Sequence, residues 1–124
     1  MSHDLGFFSL KQGATTKEVR AAYLSCCDGN PSLWPASDTL KAFTAALEAK
    51  YPCIDSLGDD ELDDSPWSCG FDKGEGHIIV SMAFSRASEV GNFAWGLLEQ
   101  HELIVFDPQV DKAYIGNEEL PESQ

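Results

Sequence analysis

Positive charge is what this sequence has least of. Eight lysines and arginines stand against twenty-one acidic residues in a chain of 124, a formal net charge of −13. So negative a surface repels phosphate backbones and anionic membranes, and no local Lys/Arg patch offsets it. Neither nucleic acid nor membrane is therefore an expected partner. Long apolar runs are also missing, and Met1-Ser2-His3-Asp4 does not open the basic-then-apolar pattern of a signal peptide. A cytoplasmic location follows as the expectation. Cys26, Cys27, Cys53 and Cys69 form no C-x-x-C, and His3, His77 and His101 are scattered, so the spacing shows no zinc pattern. The thiols are expected to be reduced, each a small buried hydrophobe. No G-x-S-x-G elbow, Walker A loop or dinucleotide fingerprint occurs. The sequence gives no reason to assign a catalytic residue, a metal or a cofactor.

What remains is an ordinary globular composition. With 43% hydrophobic and 10% aromatic residues, the chain has enough apolar surface for one core without a disulfide or structural metal. Residues 1–124 fit a single α+β domain, with a polar tail from Asn117 expected to fray. His3 to Leu10 is a predicted strand, apolar on both faces and hence central in a sheet. Thr15-Thr16-Lys17-Glu18 has the form of a capping box, and the helix behind it should stop at Gly29. A second helix is predicted from Ser37 or Asp38 to Lys50, with Leu40, Phe43, Leu47 and Tyr51 as its stripe. Trp67, Cys69 and Phe71 alternate with polar residues, and Lys73 to Gly76 supplies a hairpin turn.

His77 to Ser85 gives the clearest strand. Ile78, Val80, Met82 and Phe84 point one way, and His77, Ile79, Ser81 and Ala83 the other. A third helix from about Ser88 carries Val90, Phe93, Ala94, Leu97 and Leu98. Leu103 to Phe106 follows as a strand, with Ala113 to Ile115 as its return. This order predicts a ferredoxin-like split β-α-β sandwich, a mainly antiparallel sheet with helices on one face.

Two features are candidates for contact with a partner. Asp55 to Asp64 holds six carboxylates in ten residues, which resist burial and lack the alternate spacing of a calcium loop. Asp59, Asp60, Glu61, Asp63 and Asp64 could dock a basic protein surface, although a solvated loop without a role is the commoner outcome for such a run. Trp95 falls about 140° from Val90 on a helical wheel, outside the apolar stripe. It is either packed under a neighbouring segment or offered as an anchor, tryptophan being enriched at binding hot spots. His101 sits where a helix C-cap would, and His77 opens its strand on the face away from the expected core. A Cys69–His77 dyad is opposed by parity, since Cys69 shares the buried face with Trp67 and Phe71.

The chain resembles a family of small bacterial proteins that open on an Asp-Leu strand and close on a strand ending Tyr-Asp-Pro-Gln. Here these stretches are Ser2-His3-Asp4-Leu5-Gly6-Phe7-Phe8 and Leu103-Ile104-Val105-Phe106-Asp107-Pro108-Gln109, with Ser65-Pro66-Trp67 and Ser85-Arg86-Ala87-Ser88 between them. Glu102 stands where the pattern has a glycine. The resemblance implies an immunity or antitoxin-like protein of a polymorphic-toxin system, which binds and occludes a cognate toxin domain with a basic surface. It carries over no catalytic residue. A small enzyme of unknown class and a housekeeping adaptor subunit are the alternatives.

Overall fold

A computed structural model describes residues 2–29, 34–52, 66–67, 72–115 and 118–123. The chain begins with strand β1 (Ser2–Phe8), helix α1 (Thr16–Cys27) and helix α2 (Asp38–Lys50). A short strand β2 (Asp72–Lys73) and the long β3 (His77–Ala83) form a hairpin, then a single 3₁₀ turn over 84–86 leads into α3 (Ala87–Leu98). Strands β4 (Ile104–Asp107), β5 (Lys112–Ile115) and β6 (Glu118–Glu119) complete the sheet. Its order is β2-β3-β1-β4-β5-β6, with every pairing antiparallel. Because β3 and β4 both run against β1, they are parallel to each other, and α3 crosses over β1 to join them. That is the split β-α-β unit of a ferredoxin-like α+β sandwich.

The helix ends follow from local chemistry. Thr15 caps α1, its hydroxyl accepting from the Glu18 N–H at 3.2 Å, and Ser37 caps α2 through the Leu40 N–H at 3.1 Å. The capping box is only half formed, because the Glu18 carboxylate pairs with Lys11 at 2.8 Å instead. Gly29 ends the first helix with a φ of 86°, a conformation that costs a side chain but not glycine.

Alternation sorts the core into two layers. Leu5, Phe7, Ile78, Val80, Met82 and Val105 point to one face, where α2 brings Leu40, Phe43 and Leu47 and α3 brings Val90, Ala94 and Leu98. The side chain of Phe84, assigned to this face, lies outside the described residues. Phe8, Ile79, Ile104 and Phe106 point to the opposite face, and there α1 covers them with Val19, Tyr23 and Cys26. Among the described helices, α2 and α3 thus share the face expected to hold all of them, and α1 does not. The placement of α1 has a direct cause: β1, β3 and β4 are apolar on both sides, and burying each large side chain is worth about 1.5–3 kcal/mol. Gly6 opens the space for this packing, since a Cβ there would stand 3.1 Å from the Tyr23 ring.

The C-terminal segment departs from the frayed tail read in the sequence. Glu118 and Glu119 pair with β5, and the carbonyls of Pro121 and Glu122 accept from the Thr16 and Lys17 N–H groups at 2.8 and 3.0 Å. These are donors in the first turn of α1 that have no partner inside the helix. Arg20 grips the Glu122 carboxylate with both terminal nitrogens and reaches Asp111 with Nε. Among the described residues no helix is long and apolar enough to cross a membrane.

Candidate functional site

Of the residues proposed from the sequence for partner contact, Asp59, Asp60, Glu61, Asp63 and Asp64 lie outside the described residues. Cys53, Cys69 and Phe71 do so as well, so the dyad of Cys69 with His77 has no geometry here. Trp95 is described, and it is partly packed and partly exposed. Its ring meets Tyr114 of β5 edge-on at 6.5 Å, yet it stays 37% exposed. The helix is sparsely charged, although Glu99 at its C-cap stands one turn on from Trp95. A Cβ added at Gly91 or Gly96 would meet nothing within 4 Å, and Glu89 is the one charged residue of α3. His101 closes that helix through its backbone, the N–H donating to Leu97 O at 2.9 Å.

His77 is not on an open face. It stacks on Phe8 at 6.2 Å, and α1 lies over that side of the sheet, leaving the residue 4% exposed. Its Nε2 is 3.4 Å from Asp72 Oδ1, longer than an ordinary hydrogen bond, and its Nδ1 is buried without a hydrogen-bond partner among the described residues. A buried polar atom left in this state costs about 1–3 kcal/mol, which is why such atoms are uncommon in folded proteins. Gly74 packs so closely on the ring that a Cβ would fall 2.4 Å from Nδ1.

The fold brings two further side chains to this imidazole. Asp72 pairs with Ile79 in the β2–β3 register, so it shares a face with Ile79 and therefore with His77, two residues earlier. Cys26, in the last turn of α1, descends onto the same face. One donor atom from each of Cys26, Asp72 and His77 lies within 4.8 Å of the other two. Cys26 and His77 are buried and Asp72 is exposed. The Cys26 residue is only 5% exposed, which denies a bulky electrophile access to the sulfur. Chemically the set is a thiol, an imidazole and a carboxyl, each of which can coordinate a metal once deprotonated.

On the other side of the hairpin turn a cleft of about 220 Å³ separates α2 from β2 and β3. Thr44, Glu48, Lys73, Gly74 and His77 are among the residues that line it. The Thr44 hydroxyl is committed to Leu40 O, and Glu48 pairs with Lys73.

Sequence spacing could have joined Asp72 to His77, because a tight hairpin between them fixes their diagonal relation. It could not have supplied Cys26, which arrives from a helix 46 positions before Asp72 in the numbering and on a face expected to be open. Comparison of the chain with protein-family models, with curated proteins and with solved structures gives no match.

Proposed function

We propose that the protein acts by binding a basic protein partner, as an immunity or antitoxin-like protein that occludes a cognate toxin domain. The observation that carries this reading is Trp95. In a chain of net charge −13 it stands 37% exposed on a helix with a single charged residue, beside two uncrowded glycines. An exposed amphipathic ring on a sparsely charged helix is what interface anchors look like, and it brings large contact area with little rotamer loss. The surrounding negative field would speed encounter with a cationic domain and disfavour nucleic acid. Asp59, Asp60, Glu61, Asp63 and Asp64 belong to this reading as the densest source of that field.

The test uses the product of the gene adjacent to this one as the partner. A toxin domain there should co-elute with the protein as a stable complex, and co-expression should rescue cells from its toxicity. Trp95→Ala should weaken both effects while the variant melts as the parent does. A toxic neighbour that neither binds nor is neutralised would overturn the reading.

A further inference from the structure

We propose that Cys26, Asp72 and His77 bind one divalent transition-metal ion of the zinc class, fastening the last turn of α1 to the β2–β3 hairpin. The inference is independent of the partner-binding reading and rests on the geometry of three donors.

Tetrahedral zinc holds nitrogen and oxygen ligands at about 2.0–2.1 Å, so two such ligands stand about 3.3–3.4 Å apart. His77 Nε2 and Asp72 Oδ1 are 3.4 Å apart. That separation is long for a hydrogen bond and right for the edge of a coordination tetrahedron. The longest side of the donor triangle is at most 4.8 Å. It must contract by about 1 Å to match a thiolate edge, given a Zn–S bond of about 2.3 Å. Asp72 has the freedom to supply part of that motion, its side chain being 47% exposed.

The donor identities agree with the geometry. Thiolate and imidazole select zinc-class ions over magnesium and calcium, which take oxygen ligands. His77 is the more telling residue. Its side chain is 5% exposed, and among the described residues Nε2 has only the long approach to Asp72. A histidine kept merely for packing would be expected to donate one ring hydrogen to a good acceptor. Coordination through Nε2 takes up the lone pair now directed at Asp72 across 3.4 Å, and Nδ1 then carries the ring hydrogen. Three protein donors leave a fourth position for water, as in open zinc sites.

Cobalt(II) is the probe, because a cobalt–thiolate bond gives a charge-transfer absorption and tetrahedral cobalt gives intense visible bands. Metal-stripped, reduced protein should bind one equivalent of Co²⁺ with both signatures, and excess Zn²⁺ should displace it. The combined variant Cys27→Ser, Cys53→Ser, Cys69→Ser should keep the charge-transfer band, and Cys26→Ser should lose it. Asp72→Asn changes an exposed side chain and should fold normally, with Co²⁺ affinity reduced at least about tenfold. If Cys26→Ser fails to fold, the three-serine variant and Asp72→Asn still decide. Absence of the band in a folded three-serine variant, or unchanged affinity in Asp72→Asn, overturns the proposal.

Discussion

Tyr51, the residue that closes α2, donates its hydroxyl to Glu89 Oε2 across 2.9 Å in the first turn of α3. The same carboxylate receives Nε and a terminal nitrogen of Arg86 at 2.9 and 3.0 Å. This cluster pins the two helices that share a face of the sheet. Arg86 and then Tyr51 hold the Glu89 carboxyl well below its ordinary range, at about 2. A depressed folded value means that the contribution is complete above the unfolded value, about 4.5, and is lost as pH falls toward 2. Glu89→Gln should therefore lower the melting temperature by a constant amount above about pH 4.5. The difference from the parent should shrink steadily below that and vanish near pH 2. A difference that persists at pH 2 would show that charge is not its source.

The two core layers should contribute comparably. Phe8 and Phe43 are both fully buried, on opposite faces of the sheet. Phe43→Ala and Phe8→Ala should each cost about 3–5 kcal/mol in urea unfolding. A cost below about 1 kcal/mol for Phe8→Ala would mean that α1 covers its face only loosely.

That second layer marks where the sequence stopped being legible. The strict alternation from Ile78 to Met82 placed β3 correctly, and the stripe of Leu40, Phe43 and Leu47 placed α2, because each pattern fits a single local period. The position of α1 has no such local signature, since its stripe of Val19, Tyr23 and Cys26 would suit either face. The clue was the apolar character of β1 on both sides, which requires cover twice. His77 was assigned its correct face, but that face was expected to be open, and the convergence of Cys26 on it was hidden with α1. The tail was read from its polarity, yet what holds it is backbone: Thr16 and Lys17 N–H groups donating to Pro121 and Glu122. The position of Trp95 off the apolar stripe, by contrast, was legible from the wheel, and the residue is 37% exposed.

Glycines separate tight from open positions. A Cβ at Gly76 would fall 2.5 Å from the carbonyl oxygens of both Trp34 and Pro35. These are backbone atoms with little room to move, so Gly76→Ala should destabilise by about 1–3 kcal/mol. Gly91 and Gly96 are helical with nothing within 4 Å, and alanine at either should stabilise by about 0.8–1 kcal/mol. Thermal melts of the three variants check the contrast. Equal effects of one sign would contradict the packing.

The central claim, that the protein works by binding a basic partner, is tested most directly by binding kinetics over a salt series with that partner. Replacing Asp59, Asp60, Glu61, Asp63 and Asp64 with Asn or Gln should slow association and flatten its dependence on salt, leaving dissociation nearly unchanged. Trp95→Ala should speed dissociation, a loss of about 2 kcal/mol or more, with the salt slope intact. Association rates unaffected by both salt and the five substitutions, together with unchanged dissociation for Trp95→Ala, would contradict the account.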